Sequence, residues 1–509
     1  MSLFGNLEPA GVRDSCLENV WAVGRGGQSP GNPKVTDRRT PMALTLGIDV
    51  ACRAAHQATL AADGKTVWRG RKFWTRPADL ERLWDDLDLE DPAELTVVVE
   101  PTRNAWIVVA EWFRRRGATV VMVPTTQSSD LRKYYSKHTK NDRIDSELLA
   151  RLPLLHPEGL RPYSGQGPAD PLRRLTKQRS TMVKRRTAVF ARLDALTELL
   201  GPAWYEALNA RYGIAALEFL ARYADPHAVI RLGQARLSRF LIARSRGAWR
   251  EDRAAALIVA ARETLSLWTL EDGSDGMDFA ELAADIAHEA EQALFLTGQI
   301  KEIDERIANL YADADPDGIV ASAPGVGPTI SAVIAGRIGD PHRFTSLAAI
   351  RAYSGLVPKV SQSGVSKVES SITKAGDPLL REMLFAAADQ ARKVDPQIAA
   401  KYQRLMAGDR HHSSAICHLA TIMLTRIATC MRNGEHYVVR DVDGTVITEA
   451  EGRAIVKDRY QLEPRRRDNV RHQRMRERRK QAAGQESQKS QSAPTSRPAN
   501  NKPTSRQVA

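Results

Sequence analysis

Four acidic residues stand where a divalent-metal site for phosphodiester chemistry needs them. Asp49 lies inside the apolar run Leu44-Thr-Leu-Gly-Ile-Asp-Val50, and Glu100 ends the run Leu95-Thr-Val-Val-Val-Glu100. Asp142 and Asp145 belong to Lys140-Asn-Asp-Arg-Ile-Asp145. A carboxylate in an apolar strand calls for a partner or a metal, because burying it bare costs several kcal/mol. Ends of strands in an α/β sheet are where ligand sites form. A spacing of three places Asp142 and Asp145 on one helix face. Hard oxygen donors of this kind suit two magnesium ions, or manganese, one activating the attacking oxygen and one stabilising the leaving oxygen of a phosphodiester. Taken singly, each acid has a plain structural reading, as an edge charge or part of a solvated helix face. Their force is joint, since each falls on an element such a fold requires.

The elements that carry them follow from apolar spacing. Strands are expected over Leu44–Val50, His56–Leu60 and Thr66–Trp68, the last two joined through Asp63-Gly64, a hairpin turn signal. A helix follows from about Pro77 to Leu87, with Leu80, Leu83, Trp84 and Leu87 at helical spacing. A buried strand to Glu100, a helix over about Asn104–Arg116 stopped by Gly117, and a strand over Ala118–Val123 complete the pattern, before the helix that begins near Asp142. The order is that of an α/β domain with a mixed sheet, as in ribonuclease H and junction resolvases.

Beyond it the pattern is helical. Long helices are expected over about 172–200 and 279–310, the second with apolar spacings of three, four and seven that suit a coiled-coil seam, against another helix of the chain or a second subunit. Shorter arginine-rich helices fill 201–275. A third region opens with Ala323-Pro-Gly-Val-Gly-Pro328, a helix-hairpin-helix-like turn. Gly325 and Gly327 there would let backbone N–H groups approach a phosphate, though such a sequence is also a common tight turn. Further helices are expected to about Ile338 and over about 346–353, 378–394 and 413–431. The divisions read as a disordered leader 1–41, an α/β domain 42–165, a helical region 166–312, a C-terminal domain 313–440, and a linker with a basic disordered tail 441–509.

Composition narrows the partners. The 509 residues hold 74 Lys and Arg against 61 Asp and Glu, a formal charge of +13, which favours a polyanion and above all nucleic acid. The four cysteines form no CxxC pair, so neither a disulfide framework nor a cysteine-rich zinc site is indicated, and a reducing cytoplasm fits. His411, His412, Cys417, His418 and Cys430 match no zinc spacing. No apolar run of the length a membrane span needs stands out, and no nucleotide-binding GxxxxGK[ST] is present.

With these residues in view, Gly-Ile-Asp49, Val-Glu100-Pro-Thr and Lys-Asn-Asp142-Arg-Ile-Asp145 resemble the DEDD motifs of transposases of the insertion-sequence family numbered 110. The resemblance runs from about Met42 to Tyr437 and takes in Pro-Gly-Val-Gly and Ser-Gly further on; the long leader and the basic tail depart from it. It implies a RuvC-like, ribonuclease-H-like catalytic domain and a separate C-terminal transposase domain. It also implies a serine nucleophile in Tyr353-Ser-Gly-Leu-Val-Pro-Lys-Val-Ser-Gln-Ser-Gly364, acting with the acidic site through a covalent phosphoserine. Ser363 is the matching residue, with Ser361 and Ser354 as fallbacks. A serine hydroxyl needs help to attack, and Lys359, Lys367, Lys374 and Arg381 are the nearby cations. Further implications are DNA as substrate, an element-encoded guide RNA, and a homo-oligomer (dimer or tetramer) held by the long helices. The setting would be the bacterial cytoplasm, on the nucleoid when active. Two other functions remain open: a junction-resolvase-type nuclease using water, and an inactive nucleic-acid-binding protein.

Overall fold

A computed structural model describes residues 44–123, 128, 130, 142–157, 160–208, 212–363, 366–408 and 410–461, with only the backbone for 142–144, 359–363 and 366–371. The expected leader and the basic tail beyond Gln461 lie outside the described residues. The chain divides into two compact units between Tyr163 and Ser164.

In the first unit, β1 (Leu44–Asp49), β2 (His56–Ala62), β3 (Lys65–Phe73), β4 (Leu95–Val99), β5 (Thr119–Met122) and β6 (Arg161–Pro162) form one sheet in the order β3-β2-β1-β4-β5-β6. β1, β4 and β5 run parallel, and the other pairings are antiparallel. The β2–β3 turn is made by Asp63 and Gly64, both at positive φ (49° and 76°), as a two-residue hairpin requires. Helices α1 (Pro77–Asp85) and α2 (Ala105–Arg115) cover one face, where Leu80, Leu83, Val109 and Phe113 pack on Leu46, Ile48, Val97 and Val99. Helix α3 (Asp142–Leu155) covers the other, where Leu149 and Leu152 pack on Val98. A mixed sheet with helices on both faces fits the ribonuclease-H-like fold expected from the order of elements. β6 carries no periodic signal and was not expected; two residues are too few to show one.

The second unit is built around a long antiparallel pair, α4 (Ala169–Glu198) and α10 (Phe279–Ala314). Their direction is fixed by cross-links that run in opposite order along the two helices: Arg179 to Asp304, Arg186 to Thr297 and Arg192 to Glu289. Of the two partners open to the second long helix, the structure pairs it with a helix of its own chain. One end of the pair, through Val189, Leu193, Ile286 and Ala290, shares a core with α5 (Pro202–Leu208), α6 (Ile214–Tyr223), α7 (Pro226–Leu232), α8 (Gln234–Ser245) and α9 (Glu251–Trp268).

The other end, through Leu172, Leu175, Ile303 and Ile307, joins the C-terminal core. That core holds α11 (Pro328–Ile338), α12 (Leu347–Ser354), α13 (Pro378–Ala391), α14 (Pro396–Ala407) and α15 (His412–Asn433). By length and mean hydropathy (1.4 over its best window) α15 qualifies as a membrane-crossing helix, which the reading of apolar runs passed over. Leu419, Met423, Leu424 and Ile427 of this helix are buried in the protein core. The expected linker from 441 is folded through Gln461. Arg440 and Val446 pair across a turn, and α16 (Glu449–Arg459) opens on a Thr448–Glu451 capping box. Gly452 of α16 lies so close to the α13–α14 connection that a Cβ would stand 2.3 Å from the Val394 carbonyl. A charged, weakly amphipathic segment gave no hint of this packing.

Candidate active site

Register decides where the acids stand. Ile48 on β1 is paired with Val99 on the parallel neighbour β4, so the next residues, Asp49 and Glu100, come level at the same sheet end. Glu100 lies one residue beyond the strand rather than within it. Alternation then selects the face. Ile48 and Val99 point into the α1–α2 layer, whereas Val98 packs on α3, and Asp49 and Glu100 share the parity of Gly47 and Val98. All four acids therefore belong to the α3 side of the sheet.

Helix α3 is held there by an unusually close approach. A Cβ on Gly47 would stand 2.3 Å from both the Ala150 nitrogen and the Ser146 oxygen, so helix backbone lies directly on strand backbone. The Thr59 and Ser146 hydroxyls, both buried, are hydrogen-bonded at 2.8 Å across the same contact. Leu154, near the far end of α3, reaches Gly64 in the β2–β3 turn, at the sheet end opposite Asp49. The first turn of α3, with Asp142 and Asp145, accordingly lies toward the end where Asp49 and Glu100 stand. Asp145 is 7% exposed. Among the described residues no three His, Cys, Asp or Glu side chains draw together as a ready metal cluster, and the Asp142 side chain is outside that set.

A histidine that sequence reasoning missed borders this end. His56, 3% exposed at the start of β2, accepts the Ala51 N–H at Nδ1 (3.1 Å) and has Nε2 2.6 Å from the Thr75 hydroxyl. The ring thus ties down the backbone two residues after Asp49, and burial pushes its pKa below the usual histidine range. The signal was a histidine leading the apolar run His56–Leu60.

In the second unit, β7 (Pro358–Ser363) and β8 (Ser366–Ile372), for which no strands were expected, form a hairpin. Ser363 pairs with Ser366 in its last register position, so the serine stands at the hairpin tip. Lys367 pairs with Gln362 and by alternation falls on the opposite face from Ser363, while position 361 shares the Ser363 face. Thr373 N–H to the Val357 carbonyl (2.8 Å) closes the hairpin base, and Asp377 N–H to the Tyr353 carbonyl (2.9 Å) ties the segment after it to the end of α12.

Two stretches of the chain match known families. A family profile described as a transposase, of the DEDD type of IS110 elements, matches residues 46–202, and one described as transposase of the IS116/IS110/IS902 family matches residues 317–403. The chain is a transposase similar to those of the IS110 family. It is 24% identical over 404 residues to the 43.6 kDa protein of insertion element IS110 from Streptomyces coelicolor, covering 78% of this chain and 95% of that one. To the 44.8 kDa protein of IS116 from Streptomyces clavuligerus it is 26% identical over 308 residues, 56% of this chain and 73% of the relative. To the transposase of IS1328 from Yersinia enterocolitica it is 28% identical over 136 residues, 26% and 41% of the two chains. DNA is thus the substrate, and the enzyme is a DNA-recombining one.

Several residues expected to serve this transposase have other work in the fold. Ser354, a fallback nucleophile, is fully buried; its hydroxyl donates to the Arg351 carbonyl (2.7 Å) and accepts the Leu356 N–H (3.2 Å). Arg381 points Nη1 at the Ser354 carbonyl (2.9 Å) and the Lys374 carbonyl (3.5 Å), bracing the hairpin base. Gly325, at φ 77°, would place a Cβ 2.7 Å from the Ala387 oxygen and Ala391 nitrogen of α13. Its lack of a side chain is accounted for by helix packing. Gly327, the N-cap of α11, has open space around it, and Lys374 is exposed. The side chains of Lys359 and Lys367 lie outside the described residues. His411 caps α15 by accepting the Ser413 N–H, and His412 bonds the Tyr402 hydroxyl at 2.8 Å. Among the described residues these histidines and Cys417 form no metal cluster.

Proposed function

We propose that this transposase cuts and rejoins DNA by transesterification, with Asp49, Glu100, Asp142 and Asp145 as ligands for two magnesium or manganese ions and Ser363 as nucleophile. The observation that carries the reading is the level placement of Asp49 and Glu100 on neighbouring parallel strands, on the sheet face to which Gly47 admits the Asp145 helix. The donor set is all carboxylate oxygen, the chemistry of hard divalent cations rather than of zinc, and it fits such ions in type. When bound, the ions would lower the pKa of an attacking hydroxyl and offset charge on the leaving oxygen.

The chain's own part is to present the nucleophile. Ser363 Oγ forms a bond to phosphorus as the P–O bond to one DNA segment breaks, its proton passes to solvent or a base, and the departing deoxyribose oxygen takes up a proton. The phosphoserine is then attacked by the hydroxyl of the new DNA partner, releasing the serine. One phosphodiester is exchanged for another, so no nucleotide hydrolysis is required. The hairpin, tied at its base to the end of α12, carries the serine at its tip. Pairing of an element-encoded RNA with donor and target DNA, and assembly as a dimer or tetramer, belong to the same proposal.

The full chain is incubated with magnesium and end-labelled duplex carrying the DNA that flanks its coding region, then run on a denaturing gel. The wild type should form a covalent protein–DNA adduct and exchanged strands, and Ser363→Ala should lose both. Cutting retained in Ser363→Ala would transfer the assignment to a water-using junction nuclease. Unchanged products in Asp142→Asn would remove the metal site from the mechanism.

A further inference from the structure

Between Pro171 and Leu193, helix α4 carries eight Lys and Arg residues and no acid. Half of them serve the fold. Arg179, Arg186 and Arg192 reach α10, and Arg173 donates to the Gly336 carbonyl. The other four, Arg174, Lys177, Lys184 and Arg185, are all exposed. At 100° per residue they fall on one stripe, facing away from the buried seam residues Leu172, Leu175, Val189 and Leu193. The stripe spans twelve residues, Arg174 to Arg185, about 16 Å of helix.

We propose that this outer face of α4 docks the sugar-phosphate backbone of duplex DNA. Four cations spread over about 16 Å of straight helix can meet roughly two to four phosphates of a duplex. The residues beside the cations on this face, Gln178, Thr181 and, just beyond them, Ala188, are small or polar, with no aromatic ring to stack an unpaired base. Such a face recognises charge and the regular spacing of a duplex, and no sequence. Among the described residues, the one ion pair of these cations is weak. Lys184 meets Glu382 at 3.7 Å, but both side chains are more than half exposed, so that pair yields readily to a phosphate. Among the described residues, Arg174 has the neutral Gln166 amide oxygen at 3.4 Å. The surface lies outside the acid-bearing unit and includes no residue of the serine hairpin, and it would hold DNA whether or not the proposed chemistry is right.

The test is binding of the full chain to a labelled 30-base-pair duplex of arbitrary sequence across a salt series. The quadruple variant Arg174→Gln, Lys177→Gln, Lys184→Gln, Arg185→Gln keeps good helix formers at exposed positions, and circular dichroism checks the helix. Each lost phosphate contact removes about 0.9 from the slope of log K against log salt, so the slope should fall by roughly 2 to 4, with binding at low salt weakened about tenfold or more. A control with four exposed arginines of the α5–α9 region replaced, Arg236, Arg239, Arg246 and Arg250, carries the same charge change and should keep the slope. An unchanged slope in the first variant overturns the proposal, and so does an equal fall in both. Loss confined to a structured RNA of the same length, or loss of self-association with duplex binding intact, also overturns it.

Discussion

Gly47→Ala is the sharpest probe of how the acidic end is built. The added methyl would meet the Ser146 oxygen and Ala150 nitrogen at 2.3 Å and the Ala150 Cα at 2.9 Å, where ordinary contact begins at 3.4 Å. These are backbone atoms with no rotamer to escape into, so α3 must withdraw by about 1.1 Å. Overpacking of this kind costs about 1–3 kcal/mol, and for a unit of this size that lowers Tm by roughly 4–12 °C. The displacement falls on the helix that carries Asp142 and Asp145, and a misplacement of about 1 Å can lower a rate about a hundredfold. The assay is cleavage of element-end duplex, measured well below Tm beside Val109→Ala. That variant opens a cavity on the opposite sheet face and should lose comparable stability while keeping its rate. Wild-type Tm with full cleavage in Gly47→Ala would refute the reasoning, because α3 would then not depend on that contact. Equal rate loss in the two variants would trace the effect to stability alone.

Two further outcomes follow from the packing. His56 titrates below its ordinary value of 6.5 because burial disfavours the imidazolium, so as pH falls through 6.5 the unfolded chain takes a proton that the native chain refuses. Stability should therefore be fully present above that pH and decline beneath it, and urea unfolding of His56→Gln at pH 7.5 and 5.5 should show a smaller drop than the wild type. Asp395, fully buried, accepts the Ile398 N–H (3.0 Å) and the Tyr437 hydroxyl (2.6 Å) and pairs with Arg426 at 3.2 Å. Burial foremost, and then this carboxylate, raise the Tyr437 pKa. Asp395→Ala strands a half-buried guanidinium and should destabilise the second unit by about 3–5 kcal/mol in denaturant unfolding.

Much of this transposase was legible along the chain. Period-two and helical spacing marked β1, β2, β4, β5 and the first two helices within a residue or two, because one face of each element is buried and the pattern records which, whereas β3 runs five residues beyond the expected Trp68 and β6 went unmarked. The acids stood out because carboxylates interrupt those apolar patterns. Local sequence also placed the Asp63-Gly64 turn and both long helices. What it could not carry was partnership. That the second long helix pairs with the first is written in Arg179 with Asp304 and Arg192 with Glu289, contacts between residues about a hundred positions apart. The serine hairpin escaped notice because Ser, Gln and Lys alternate with too little apolar contrast to show a period of two. Gly325 read as a possible phosphate contact until the backbone of α13 appeared beside it. Gly47 holds the same lesson. Its neighbours in sequence say only that a small residue precedes Asp49, and it takes the helix lying on it to show that a hydrogen is all the space allows.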